Sequence, residues 1–471
     1  MNDLLRHNCG ICVTHTLHDA HAFIKSLQHR GRDATGIAAI GRRGIDVIKW
    51  VGTVDRVDLV DLHKILPSSE YHTYMAHVRY TTKGSKALPL RDAHPHVVGG
   101  DVHDQGNHII ITDCELAAVH NGQIDRRYLS SVDGGLLSTD CDTEALLHFY
   151  AARSETAILE HIPGAYTAAI AHKGKDEVIV LRDRTGIRPG VLGWKDGKHV
   201  VASEDIALRK NGGEFIEELD PGSVYYLDSD GGCRKEKIVA ARQAHCFFEW
   251  NYICDRDTIL EGIYVKRLRR ALGQLLAQVQ DLKTVEVVSY LPRSPEDAAR
   301  SFARAAGKDF EPVFYKLRGE RAFQGPTKGE RALSIGKNLY LMPGAPATVR
   351  GKSVLVIDDS VVRGNNIIRE KELLEEAEAG AIYHAAYTPP IGVMGADGIP
   401  RGCLFGVDMP PQDDFVARGR SVAQIGALTG VNMVYLSLEA MLSVFESLGM
   451  PAGHLCTYCV GGKHPFCRDV E

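Results

Sequence analysis

The chain has 471 residues, 44% of them hydrophobic, and its 55 lysines and arginines against 60 aspartates and glutamates leave a net charge of -5. That length exceeds one ordinary core and predicts two or three domains, each burying a substantial interior. A mildly acidic balance with no long basic run excludes capture of nucleic acid or anionic membrane by charge alone, and no apolar run approaches the roughly 20 residues of a membrane helix. The eight residues before Cys9 lack the apolar core of a secretory signal. The expectation is a cytoplasmic protein with small-molecule partners, no nucleic acid and no membrane. Its eleven cysteines then call for catalysis, metal binding or plain burial, because cytosolic thiols stay reduced.

Cys9-Gly10-Ile11-Cys12-Val13 reads as a short strand, followed by a helix from about Asp19 to Gln28 that stops at Gly31, where a left-handed cap suits glycine. Removal of Met1–Asn8 would give Cys9 an α-amine of pKa about 7.7–8, placing a base beside its own thiol; alone, Cys9 also fits a small buried edge-strand residue. Ala76–Gly84 puts Arg79 in an apolar, strand-like setting, where its planar fork suits a substrate carboxylate. In Val119–Ile124, the Asn121 amide and the Gly122 N–H can be aimed at one point as an oxyanion hole, although Asn-Gly equally fits a two-residue hairpin turn. Thr139–Glu144 precedes an apolar helix running to about Ala151, so Asp142 either holds a substrate ammonium or caps that helix.

Taken in order, Cys9-Gly10-Ile11, Leu27-Gln28-His29-Arg30-Gly31, His77-Val78-Arg79-Tyr80, His120-Asn121-Gly122 and Asp142-Thr143-Glu144 resemble the N-terminal-nucleophile glutamine amidotransferase domain. Further matches at Gly164-Ala165-Tyr166, Arg182–Pro189, Ala202-Ser203-Glu204 and Asp220-Pro221-Gly222 carry the likeness to about residue 240. The resemblance implies a four-layer αββα sandwich, Cys9 as catalytic nucleophile and amine base, Asn121 and Gly122 as oxyanion hole, Arg79 and Asp142 as glutamine ligands, and residues 1–8 as a propeptide. Arg32 stands where that family often has glutamine, a change expected to be tolerated.

In the second half, Ser353–Ile357 is an apolar run fit for a buried parallel strand, and Asn366–Ala379 reads as a helix ended by Gly380. Between them, Asp358 and Asp359 sit at the strand's C-terminal end, where they can accept from ribose hydroxyls or approach magnesium. Ser360, Arg363, Gly364, Asn365 and Asn366 then lead into a helix N-terminus that attracts phosphate. A nucleoside-triphosphate loop is excluded: Gly351-Lys352-Ser353 lacks the earlier glycine and enters a strand instead of opening a helix.

The run Val354–Gly364 resembles the phosphoribosyl pyrophosphate (PRPP) loop of type I phosphoribosyltransferases, particularly that of the amidophosphoribosyltransferases. Glu286–Pro292, a strand followed by Arg293-Ser294 and a helix from about Pro295 to Ala306, falls where that family's pyrophosphate loop lies, which adds Ser294 to Asp358 and Asp359 as a magnesium candidate. Lys316–Phe323 resembles the start of its flap, and Gly406–Pro410 matches a further segment. The chain departs in having Asn365 and Asn366 for the usual two threonines, in Leu291–Asp297, and in the flap. Glutaminase followed by type I phosphoribosyltransferase α/β domain is the amidophosphoribosyltransferase order, implying domains at 9–240 and 241–440 and a helical, cluster-binding tail at 441–471. It also implies conversion of glutamine, PRPP and water to 5-phosphoribosylamine, glutamate and pyrophosphate, with ammonia passed internally, purine nucleotides as inhibitors, and a homo-oligomer, dimer or tetramer.

Cys456-Thr457-Tyr458-Cys459 is by itself ambiguous among zinc, iron-sulfur and redox roles. Cys254 and Cys467 could each substitute for one ligand of such a set. Cys246, Cys403, Cys456 and Cys459 resemble the ligands of the family's iron-sulfur subgroup, which implies a [4Fe-4S] cluster pinning the tail. Two other readings of the chain are a divergent sensor of PRPP or nucleotides that does not turn over, and an amidotransferase with another acceptor.

Overall fold

The computed structural model describes residues 9–80, 90–280, 282–316, 339–407, 409–412 and 414–466. Expectations placed on Met1–Asn8, Thr81–Gly84, the flap beyond Lys316, Asp408 and Cys467 lie outside the described residues.

Two antiparallel sheets build the first half. The larger has nine strands in the order Glu214–Glu218, Val191–Lys195, Lys198–Ala202, Gly10–Thr14, Tyr71–Arg79, Ala34–Gly41, Ile45–Val51, His108–Cys114 and Asp101–Asp104. The smaller has six, in the order Cys233–Lys237, Ser223–Asp228, Glu177–Arg182, Gly164–His172, Leu116–Ile124 and His96–Val98. Alternation along each strand sorts the side chains between two layers. Ile11, Val13, Met75, Val119, Ala169 and Val180 fill the apolar layer between the sheets, while Cys12, Ala76 and Val78 face outward to the helix Leu17–Ser26. Helices Asp142–Ala152 and Glu155–His161 cover the smaller sheet through Leu146, Leu147 and Leu159, which completes the helix-sheet-sheet-helix order.

The second half is a parallel sheet of five strands, Asp309–Phe310, Val287–Tyr290, Val354–Asp358, Ile382–Ala386 and Asn432–Tyr435. Leu355 and Ile357 pack on the side of helices Val265–Val279 and Glu296–Ala306, and Val356 packs on the side of helix Asn365–Glu376. Helix Leu438–Ser447 carries the chain across residue 440, and the tail returns so that Leu455–Cys456 pairs in parallel with His245–Cys246.

Three local expectations differ from the structure. The first helix starts at Leu17 because the Thr16 side chain accepts from the Asp19 N–H, and it closes at Leu27. Gly31 has no left-handed backbone; a Cβ there would lie 2.5 Å from the Arg79 carbonyl carbon, so glycine is required by close backbone approach. The helix after the phosphate loop runs from Asn365 to Glu376, and its end is followed by Glu378 at φ 58° rather than by a glycine stop at Gly380.

Buried charge fastens the halves together. Arg30, with no exposed surface, bonds Glu204 at 2.6 Å and Glu249 at 3.0 Å, and its Nε holds the Cys9 carbonyl at 2.8 Å. Arg188 takes the other side of Glu249 at 2.8 Å and donates to the Phe405 carbonyl at 2.6 Å. Burial alone would push the Glu249 carboxyl upward, but the guanidiniums of Arg30 and Arg188 hold it below the ordinary carboxylate range.

Replacing Glu249 by Gln removes the buried carboxylate that Arg30 and Arg188 share. Denaturant unfolding is expected to show a loss of about 3–5 kcal/mol, against no change for the exposed Asp61→Asn; equal stability of both variants would contradict the junction's role. Gly31→Ala is expected to lose about 1–3 kcal/mol by overpacking, and wild-type stability would show that the Arg79 backbone can yield.

Candidate functional site

The two-residue strand period brings the first site together. Cys9 precedes Ile11 and Val13, Arg79 and His77 follow Met75, and Asn121 follows Val119, so all of them share the inter-sheet face. Burial pushes the Cys9 thiol up to about 11, against a Tyr80 backbone hydrogen bond and the charges of Arg79, Arg188 and Arg30. With residues ahead of it the thiol therefore stays protonated at neutral pH, and attack needs a base close by.

Asn121 and Gly122 lie inside the strand Leu116–Ile124, not in a hairpin turn. Both polar atoms of the Asn121 side chain are buried without a hydrogen-bond partner. Gly122 adopts φ 153°, and a Cβ there would collide with the Ala165 carbonyl, so glycine is required. Its strand partner Tyr166 donates its N–H to Asp183 Oδ2 and accepts the Asp183 N–H at its carbonyl, which directs the Gly122 N–H away from Tyr166. Arg79 is fully buried with Nη2 3.6 Å from Asp92 Oδ2. Asp142 is not the cap of its helix, since Cys141 holds that position. Its Oδ2 accepts the Ile124 N–H at 2.7 Å, which ties it to the Asn121 strand.

The second site lies at the C-terminal edge of the parallel sheet. Asp358 ends the central strand, its Oδ1 accepts the Asp359 N–H at 2.9 Å, and Asp359 Oδ1 accepts the Ser360 hydroxyl at 2.9 Å. Burial pushes both carboxyls up, Asp359 further because the Asp358 charge adds to it. Such a pair favours a cation or hydroxyl donors between them. Ser360 and Arg363 lie on the loop that reaches Gly364, which takes φ 79° and caps the helix opened by Asn365 and Asn366. Ser294 follows the strand Val287–Tyr290, whose Tyr290 is opposite Ile357, so its loop leaves the same edge as Asp358.

Cys246, Cys403, Cys456 and Cys459 line a single cavity with Arg188, Phe248 and Tyr458. Cys246 is opposite Cys456 in the short parallel pair, and Cys403 Sγ accepts N–H bonds from Phe405 and Val407 at 3.3 and 3.4 Å. Cys254 is elsewhere, against Arg30 and Glu249.

Sequence reading found neither the Arg30, Glu204, Glu249 and Arg188 network nor the pair behind Asp358, in which His384 Nδ1 is 2.9 Å from Glu370 Oε2 and Nε2 is 4.0 Å from Asp358 Oδ2. A glutamate in the interior of a helix beside a histidine in a central strand was the available signal.

A family profile described as "Glutamine amidotransferase domain" matches residues 98–210. Amidophosphoribosyltransferase of Archaeoglobus fulgidus is 28% identical over 96% of this chain and 95% of its own length. That of Bacillus subtilis is 27% identical over 94% and 90%. A solved structure of glutamine PRPP amidotransferase from B. subtilis complexed with ADP and GMP superposes with a TM-score of 0.79 at 26% identity, covering 97% of each chain. Another, described as the allosteric regulatory enzyme of purine biosynthesis, gives a TM-score of 0.80 at 27% identity, covering 97% of this chain and 96% of that one. Over nearly its whole length the chain is similar in sequence and fold to amidophosphoribosyltransferases, a glutaminase half followed by a phosphoribosyltransferase half.

Proposed function

We propose that the chain converts glutamine, PRPP and water to 5-phosphoribosylamine, glutamate and pyrophosphate, the opening step of purine synthesis. The observation that carries this reading is the Asn121 amide, buried with both polar atoms unpaired on the face it shares with Cys9 and Arg79. An orphaned buried amide costs about 1–3 kcal/mol unless a ligand completes it, and a glutamine oxyanion is such a ligand.

In this reading cleavage after Asn8 frees the Cys9 α-amine, which takes the thiol proton as sulfur attacks the glutamine side-chain carbonyl carbon. Asn121 and the Gly122 N–H hold the oxyanion, Arg79 takes the α-carboxylate and Asp142 the α-ammonium. Collapse breaks the C–N bond, the departing nitrogen receives the proton and leaves as ammonia, and water then hydrolyses the thioester to glutamate. Ammonia moves within the protein to the ribose C1. There the loop of Ser360, Arg363, Gly364, Asn365 and Asn366 holds the 5'-phosphate, and Asp358 and Asp359 accept from the ribose hydroxyls. Ser294, Asp358 and Asp359 would hold magnesium, which when bound neutralises the departing pyrophosphate.

The four cysteines fit a [4Fe-4S] cluster. They line one cavity, and a [4Fe-4S] cluster takes one thiolate on each of its four irons. The cluster would supply a crosslink, through Cys456 and Cys459, between the tail and the junction at Cys246. The proposed boundary at residue 240 is supported by the last sandwich strand ending at Lys237, whereas helix Leu438–Ser447 runs through the boundary expected between 441–471 and 241–440. Inhibition by purine nucleotides is supported by the relative complexed with ADP and GMP, and we carry over a homo-oligomeric state as part of the same reading. None of the described helices is long and apolar enough to cross a membrane.

Cys9→Ala is expected to abolish glutamine-dependent synthesis, by on the order of 10³-fold or more, while ammonia-dependent synthesis persists. Asp358→Asn with Asp359→Asn should abolish both, and equal loss from the two changes would contradict separate sites. Asn121→Ala should lower kcat of the glutaminase by about 10²–10³-fold, with little effect on the ammonia reaction. PRPP binding without turnover in an anaerobically prepared, processed sample would favour a sensor instead.

A further inference from the structure

Outside the groups assigned so far lies a second nest of metal-ligand side chains. His94, His96 and Cys141 each offer a donor atom, and the three atoms lie within 4.8 Å of one another. All three residues are buried, and His94 Nε2 is 3.7 Å from Cys141 Sγ. They come from the segment entering strand His96–Val98 and from the cap of helix Asp142–Ala152.

The two rings are held in orientation. His94 stacks on His77 with centroids 4.0 Å apart and meets the His96 ring edge-on at 4.8 Å. The Asp92 backbone takes a hydrogen bond from His96, whose Nε2 is buried with no partner. A ring fixed through one nitrogen by a backbone carbonyl, with the other nitrogen bare, is the arrangement of a histidine ligand. Three aliphatic side chains would fill this space without the cost of an unpaired nitrogen.

We propose that His94, His96 and Cys141 form a site for a borderline dication of the zinc class. Two imidazoles and one thiolate exclude magnesium and calcium, which need oxygen donors. Tetrahedral zinc sets its ligand atoms about 3.3–3.6 Å apart, so the nest needs only a contraction of the order of 1 Å at its widest. Burial pushes the free Cys141 thiol up to about 12, and a bound dication would displace that proton. The surrounding charges are Lys49, whose Nζ is held by the Arg91 and Ala93 carbonyls, Arg79, Asp92, Asp142 and Glu144. Three protein ligands leave a fourth position, and Cys141 Sγ is 3.7 Å from Asp142 Oδ1. The ion would therefore fasten the helix that carries Asp142 to the His94–Val98 segment. Its effect on glutamine use rests on the proposed role of Asp142; binding of the ion does not.

The test titrates Co2+ into the full chain, prepared anaerobically with its iron retained and other bound ions removed by a mild chelator, and compares wild type with Cys141→Ser and His96→Phe while iron content and circular dichroism are followed. The expected result is one tetrahedral cobalt per chain with a mixed nitrogen and sulfur X-ray absorption signature, displaced by Zn2+, and lost in both variants with iron unchanged. Absence of any such cobalt spectrum from the wild type would overturn the proposal, as would the same stoichiometry in both folded variants. Should the variants not fold, the wild-type absorption spectrum still decides, because an all-sulfur shell would assign the ion to the four-cysteine cavity.

Discussion

One fully buried guanidinium, that of Arg30, constrains much of the molecule. Its charge is compensated from both halves, by Glu204 of the sandwich and by Glu249 of the segment leading into the parallel sheet, while its Nε fixes the carbonyl of Cys9. Burial works against the charge on Glu204, yet His29 and Arg30 hold that carboxyl far below its ordinary range. Glu249 passes the constraint to Arg188, which forms part of the wall of the four-cysteine cavity and bonds the Phe405 carbonyl. The position of the candidate nucleophile, the packing of the two halves and the tail's anchorage are thus parts of one electrostatic unit.

Pairing of this kind specifies geometry more than it adds stability, because each ion was solvated before folding and only correct partners offset that loss. The apolar cores do the rest. Ala165 and Ile187 of the sandwich pack with Phe247, Trp250 and Leu268 of the second half in one continuous cluster. The ammonia-transfer reading suits a junction that is both apolar and charge-locked.

The residues on which sequence could speak were those with a period or a motif. Alternation from Met75 to Arg79 and from Val119 to Asn121 puts both side chains on the inter-sheet face, at the motifs that the sequence displays. The strand and loop from Val354 to Gly364 were equally plain, since an apolar run ending in two acids and a glycine turn has few other uses. Gly31 was misread because a glycine after a helix is usually needed for its φ, whereas here the backbone of Arg79, distant in sequence, takes the room of a side chain. Long-range partners left no local trace: Arg30 and Glu249, or His94 and Cys141, become neighbours only when sheets and helices stack.

The central claim is that nitrogen released at Cys9 is delivered to an activated ribose held by the same chain. Its most direct measurement supplies amide-labelled heavy-nitrogen glutamine, PRPP and magnesium in the presence of excess unlabelled ammonium at neutral pH, and reads the isotope in phosphoribosylamine trapped as it forms. The account predicts product carrying the heavy isotope with little dilution. Product bearing only the unlabelled nitrogen, or glutamate formed with no phosphoribosylamine at all, would contradict it.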